Sequence, residues 1–414
     1  MNTVFKTLTE NEDNTAIYEE AGRIIRVGGL VAFPTETVYG LGGDALNKDS
    51  SQKIYAAKGR PSDNPLIAHI CDIAQLDDLV SDIPSCAGDL AQKFWPGPLT
   101  LIMKKKAGVP YETTGGLDTV AVRMPNHPVA LDLIRYSQRP IAAPSANLSG
   151  RPSPTKASHV LNDLNGRIDM ILDGGSVGIG VESTIIDLTA SKPMLLRPGY
   201  YITDDFKQIL GDVLIDPAVA NITSGTLPDE SIKPKAPGMK YRHYAPKAEL
   251  VIVSGEDKKV TEKINELISQ KEAAGIKCGV ITAGEDPALY PKGLIKDAGS
   301  SDEERAASLF AILREFDETD TGFICARDLS EGRLGNALMN RLCKAAAGRI
   351  IRVYIHYCFK YASITSHTSG VSIPSFQQAT PASELVSIRD SFTSMDFASS
   401  IHIMNFELPS VTSP

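Results

Sequence analysis

The chain has 414 residues, of which 42% are hydrophobic and 22% charged, and a formal net charge of −8 at pH 7. This length exceeds one ordinary domain, and the composition is that of globular protein with apolar material for two cores. The acidic balance excludes a broad nucleic-acid-coating surface while leaving room for a local basic pocket, and no stretch approaches the roughly 18–20 apolar residues that a bilayer-spanning helix needs.

In chain order, residues 15–27 place Ile17, Ala21, Ile24 and Ile25 on one helical face, and Gly28-Gly29 ends that helix. Residues 30–33 form a short apolar strand that runs into P-T-E-T-V-Y-G-L-G-G. A helix over 49–58 precedes a strand over 66–70, with further strands at 99–103 and 120–124. A helix over 127–137 leads into the strand P-I-A-A-P, followed by a helix over 155–164 and strands at 170–172, 183–188 and 194–196. This mixture predicts an α/β or α+β domain over 1–212. Residues 213–247 hold Pro217, Pro228, Pro234, Pro237 and Pro246 with little apolar periodicity, and read as an interdomain linker. The linker contains P-G-M-K-Y-R-H-Y-A-P, too aromatic and basic for a passive tether.

Strand–helix alternation then resumes. Strands at 250–253, 278–282 and 322–326 alternate with helices over 258–274, 302–316 and 333–347. Three such units predict a small Rossmann-like parallel sheet over 248–350. No G-x-G-x-x-G follows its first strand, so dinucleotide binding is not expected. Residues 351–414 are rich in Ser and Thr and lack helical periodicity; the expectation is a disordered or appended tail without assigned function. The N-terminus has no apolar signal core, and the six cysteines include no C-x-x-C pair. Both point to a reducing, cytoplasmic setting and away from structural zinc.

Polar clusters recur at strand ends beside Gly or Pro. Pro34–Gly42 suits a backbone held tightly against a ligand. Lys58–His69 packs two cations, Ser62 and Asn64 between prolines, which offers point-charge and guanidinium-fork contacts to phosphate; a solvated basic turn is the plain alternative. His69 alternates with apolar neighbours, a pattern more often met in a satisfied core histidine. Arg123 lies within the apolar strand T-V-A-V-R-M-P and needs an anionic partner, from the protein or from a substrate. Small hydroxyl residues cluster at 142–153, four glycines precede Ser183 and Thr184, and Arg197 ends another apolar strand. There is no P-loop, no G-x-S-x-G elbow and no H-E-x-x-H set. Several arginines and hydroxyls without an evident nucleophile suit nucleotidyl transfer, in which the substrate brings the nucleophile and the protein neutralises phosphate charge.

Taken in order, F-P-T-E-T-V-Y-G-L-G, K-x-R-P-x-x-x-P-L, A-A-P-S-A-N-x-S-G, V-E-S-T-I-I-D and L-R-P-G resemble the YrdC-type threonylcarbamoyl-AMP synthases. The linker motif and the domain after it resemble the longer, two-domain form. The resemblance covers residues 1 to about 350. It implies a YrdC-like twisted mixed sheet with flanking helices and a concave pocket, plus the small C-terminal Rossmann-like domain. It also implies synthesis of threonylcarbamoyl-adenylate from L-threonine, bicarbonate and ATP, with pyrophosphate released. The product would pass to the machinery that transfers threonylcarbamoyl to tRNA beside the anticodon.

Carried over residue by residue, the threonine set is Thr35, Thr37, His69, Arg123, Ala143 and Ser183, with Arg123 facing the threonine carboxylate. The ATP set is Lys58, Arg60, Asn64, Thr119, Ser145, Asn147, Ser153, Arg197, His243 and Tyr244. Tyr244, with His243 beside it, is expected to fold over the pocket as a lid. Mg2+ is expected to travel with ATP, held by phosphates and water; no protein ligand to a metal and no organic cofactor are expected. The rival from another class is a non-catalytic, weakly RNA-binding module, against which the acidic charge and the lack of interleaved aromatic and basic residues weigh. Carbamoyltransferases of hydrogenase maturation share a YrdC-like domain, but their C-x-x-C modules are missing here. The strand ends of the C-terminal domain lack clustered polar residues, which predicts a scaffolding or regulatory role for it.

Overall fold

The computed structural model describes residues 2–9, 12–223, 234–239 and 244–353. Its strands are β1 (Val4–Thr7), β2 (Val31–Phe33), β3 (Gly40–Asp44), β4 (Ile67–His69), β5 (Val80–Asp82), β6 (Leu99–Lys105), β7 (Thr119–Arg123), β8 (Ile141–Ala142), β9 (Met170–Asp173), β10 (Thr184–Asp187), β11 (Met194–Arg197) and β12 (Leu214–Ile215), then β13 (Glu249–Gly255), β14 (Cys278–Thr282), β15 (Leu294–Asp297), β16 (Phe323–Arg327) and β17 (Ile350–Val353). The helices are α1 (Thr15–Arg26), α2 (Lys48–Lys58), α3 (Leu76–Leu79), α4 (Ser85–Phe94), α5 (Tyr111–Thr114), α6 (Pro128–Ser137), α7 (Ala157–Leu164), α8 (Thr203–Leu210), α9 (Pro217–Thr223), α10 (Asp257–Ala273), α11 (Asp302–Asp317) and α12 (Gly335–Ala345).

The first twelve strands form one mixed sheet in the order β1-β9-β2-β3-β8-β4-β7-β6-β10-β11-β12, with β5 on β6. Its β4–β7 pairing is parallel and sets His69 opposite Arg123, while β6–β7 and β10–β11 are antiparallel. The other five strands form a wholly parallel sheet in the order β15-β14-β16-β13-β17. The two-sheet α/β architecture is that of the sequence reading. Helices α1 and α6 cover one face of the first sheet through Ala21, Ile25, Val129 and Leu133. They approach closely because Gly22 carries no side chain: a Cβ there would lie 2.5 Å from the Tyr136 carbonyl oxygen.

Several elements differ from the expectation. G-L-G-G-D, read as part of a ligand-binding turn, is the buried strand β3. Its glycines serve packing: a Cβ on Gly42 would come within 2.8 Å of Ile141 and Phe33. The proline-rich segment after residue 213 opens with β12 and α9, not coil. The parallel sheet gains β15 at one edge and β17 at the other. Both are short and only partly buried, so neither shows the apolar run of an interior strand. Strand β17 also takes residues 351–353 from the segment read as a tail; residues 354–414 lie outside the described residues.

Local sequence positions the site. Helix α2 starts at Asn47, whose side chain accepts from the Asp49 and Ser50 amides, and stops at Gly59 with φ 62°. That stop places Lys58 and Arg60 at the mouth of the following loop. Strands β4, β7 and β11 end at His69, Arg123 and Arg197 and β10 begins at Thr184 on one side of the first sheet, whereas β2 and β8, which run the opposite way, bring Thr35, Thr37, Ala143 and Ser145 from the other.

Candidate active site

One pocket is lined by Thr35, Thr37, Arg60, His69, Arg123, Ala143, Ser145, Asn147, Glu182 and Arg197, with Pro237, Gly238 and Tyr244 closing it. Arg123 is 4% exposed. Its Nη1 donates to Thr37 Oγ1 at 3.0 Å and its Nε to the Gly97 carbonyl at 3.3 Å. Thr35 fixes Thr37 in turn, the two hydroxyls lying 2.9 Å apart. Arg123 Nη2 lies 2.6 Å from Glu36 Oε2. That approach is misaligned for hydrogen bonding: Nη2 and both Glu36 oxygens are buried without a hydrogen-bond partner among the described residues. Glu36 is thus the protein carboxylate that balances Arg123, and Nη2 retains an unfilled donor. Glu36 lies within P-T-E-T-V-Y-G-L-G, where nothing local marks it as the partner of Arg123.

His69 Nδ1 lies 3.1 Å from the Ile67 carbonyl, which can only accept. The proton of the neutral ring therefore sits on Nδ1 and leaves Nε2 as the acceptor. Burial, reinforced by the Arg123 charge, lowers the imidazole to about 3. An exposed imidazole in the unfolded chain titrates near pH 6.5. Between those values the unfolded state binds the extra proton, so stability falls as pH drops from 6.5 towards 3, by up to about 1.4 kcal/mol per pH unit. His159, lowered to about 4 chiefly by burial, acts in the same direction. Urea midpoints should accordingly fall from pH 7 to pH 5, and His69→Gln should flatten that fall. An unchanged slope in the variant would exclude His69 as its source.

On the other side of the pocket, Arg197 is anchored three ways. Nε donates to the Ser183 carbonyl at 3.0 Å, Nη2 to Ser183 Oγ at 2.9 Å and Nη1 to the Pro237 carbonyl at 3.2 Å. Burial lowers its guanidinium to about 10, which still leaves it charged at neutral pH. Arg60 Nη2 donates to the Asn64 and Pro65 carbonyls, while its buried Nε has no partner among the described residues. Glu182 forms the wall between Arg197 and Tyr244. Burial alone would raise its carboxyl; Arg341, Arg197 and the Ser153 hydroxyl, which donates at 2.6 Å, bring it down to about 2. The Tyr244 hydroxyl also bonds Glu182, and burial pushes that phenol well up.

Four expected site residues stand behind the lining. Lys58 is buried and gives its Nζ to the Ser145 and Asn147 carbonyls, so it shapes the 145–147 loop from beneath; burial lowers its ammonium well below the ordinary range. Asn64 backs Arg60, Ser153 is engaged by Glu182, and Ser183 lies between Thr100 and Arg197. Thr119 is not brought to the pocket: it pairs with Lys104 at the far end of β7, four residues or about 13 Å from Arg123. His243 falls outside the described residues.

The open cavity within the pocket is about 60 Å³. That admits a few waters, at roughly 10–15 Å³ each. Tyr244 closes it, 5% exposed, with φ at 66° and its ring 4.9 Å from that of Phe310 on α11.

Residues 23–199 match the Sua5_yciO_yrdC family, described as telomere recombination. Residues 205–347 match the family described as threonylcarbamoyl-AMP synthase, C-terminal domain. The threonylcarbamoyl-AMP synthase of Pyrococcus abyssi is 52% identical over 333 residues, spanning 80% of this chain and 95% of that protein. The chain belongs to the threonylcarbamoyl-AMP synthase family. The Bacillus subtilis member is 49% identical, over 80% of this chain and 94% of its own. A solved structure of P. abyssi Sua5 complexed with L-threonine aligns with a TM-score of 0.79 at 50% identity, over 85% of this chain and all of that one. Among the described residues no helix is long and apolar enough to cross a membrane.

Proposed function

We infer that this chain is a threonylcarbamoyl-AMP synthase, which makes the activated threonylcarbamoyl group used in tRNA modification. The observation that carries the reading is one pocket in which a buried guanidinium with an unfilled donor, Arg123, faces a second cationic group, Arg60 with Arg197. A carboxylate and a triphosphate fit those two ends. The threonine carboxylate would align with Arg123 Nη2 in place of Glu36, and Thr37 would hold the guanidinium in register. The threonine amine, once deprotonated, adds to carbon dioxide and gives up a proton to solvent, or condenses with bicarbonate and expels water, and so forms a carbamate. A carbamate oxygen then attacks the α-phosphorus of ATP and pyrophosphate leaves. Arg60 and Arg197 offset the charge that develops on the phosphates. No enzyme nucleophile is required.

Magnesium would arrive on the phosphates of ATP. Among the described residues no group of three or more His, Cys, Asp or Glu side chains is placed to hold a metal. Glu182, which lines the pocket, is already engaged by Ser153 and Arg341. Magnesium would then be held by the phosphates and water. The deciding experiment measures pyrophosphate release from ATP with threonine and bicarbonate supplied separately and together. Release that requires both supports the reading; RNA binding without such release would replace it with the non-catalytic alternative.

Tyr244 closes the pocket, so it would move aside for ATP to enter and return to keep water from the labile adenylate. Tyr244→Ala should raise the ratio of AMP to threonylcarbamoyl-adenylate by roughly threefold or more, with a smaller change in the KM for ATP. Chromatographic product ratios check this, and an unchanged ratio would remove the lid role.

A further inference from the structure

Two cations of α12, which belongs to the parallel sheet and not to the sheet bearing the pocket, end in the pocket wall. Arg341 is fully buried. Its Nε donates to Glu182 Oε2 at 3.0 Å, its Nη2 to the Glu182 carbonyl at 3.3 Å, and its Nη1 to the Pro198 and Ala337 carbonyls. One guanidinium therefore holds both the side chain and the main chain of Glu182. Three residues on, Lys344 donates to the Gly238 carbonyl and to Asn340 Oδ1. Gly238 is the closing residue whose added Cβ would lie 3.2 Å from the Tyr244 hydroxyl.

A buried carboxylate beside a triphosphate pocket poses an electrostatic problem. Uncompensated, Glu182 repels the nucleotide and draws Arg197 to itself, and both effects are strong where water is excluded. Arg341 approaches Glu182 on a different oxygen from Ser153, from the side of the second sheet, and supplies the missing charge. We propose that Arg341 is a positioning residue of the adenylation site: it neutralises Glu182 from behind and so leaves the Arg197 charge available to ATP. The C-terminal unit is then part of the nucleotide site and not only a scaffold. This rests on the assignment of the pocket to ATP.

The test uses the full chain with Arg341→Met, Arg341→Lys, and Arg341→Met combined with Glu182→Gln. The expected result for Arg341→Met is a KM for ATP raised about tenfold or more, with the KM for threonine within about twofold of wild type. Removing the carboxylate in the double variant should recover at least about fivefold of that loss, a rescue that a merely structural arginine would not permit. Arg341→Lys keeps the charge and should bind ATP within about threefold of wild type, so it stands in if the methionine variant does not fold. Equal losses for ATP and threonine, or a double variant no better than Arg341→Met, would overturn the proposal. ATP affinity measured by calorimetry on the same proteins separates this role from the activity. Wild type that binds ATP without releasing pyrophosphate would count against the assigned reaction alone, whereas ATP affinity insensitive to Arg341→Met would count against the arginine.

Discussion

Arg123→Ala should lower kcat/KM for threonine by roughly 10²- to 10³-fold, because truncating one partner of a buried, hydrogen-bonded charge pair costs about 2–5 kcal/mol. The effect has two parts. The substrate carboxylate loses its fork, and Glu36 is left buried without its counter-charge at 2.6 Å. Arg123→Lys separates them: it keeps a cation beside Glu36 but cannot donate to Thr37, the Gly97 carbonyl and a carboxylate at once. Its loss should fall between wild type and alanine. Calorimetry of threonine binding is the direct check. Near-normal threonine affinity in Arg123→Ala, in protein that still melts cooperatively, would end the carboxylate assignment.

Arg197→Met should cost about 10²- to 10³-fold in kcat/KM for ATP, the range seen when one preorganised donor to a developing charge is removed. Arg197 is held by Ser183 and by the Pro237 carbonyl of the closing segment, so its direction is set before substrate arrives. Threonine affinity should change less than ATP affinity, since Ser183 is still buried against Thr100. A variant whose kcat/KM for ATP lies within about threefold of wild type would place the phosphates elsewhere.

The motifs marked the pocket because each ends or begins a strand, and the ends of β4, β7 and β11 fall with the start of β10 on one side of the sheet. His69 and Arg123 were legible in this way, and parallel β4–β7 pairing puts them side by side. The same reading treated Lys58 as a phosphate contact, since a lysine beside Arg60 in a loop presents itself as a surface cation. In the fold its ammonium turns inward to the 145–147 carbonyls. Thr119 enters the ATP set only through the family resemblance, and an extended strand separates it from Arg123 by about 13 Å.

What local chemistry decides here is the set of elements and the inventory of cations and hydroxyls: Asn47 and Gly59 delimit α2, apolar runs mark the interior strands, and the motifs carry the groups. What sequence could not disclose is which charges neutralise which. Glu36 lies 87 positions from Arg123, and Glu182 lies 159 from Arg341. Burial makes each charge costly unless it is matched, and the match is made only when distant segments pack. For that reason the participation of α12 in the pocket wall, and the closed seat of Tyr244 on Phe310, belong to the tertiary structure alone.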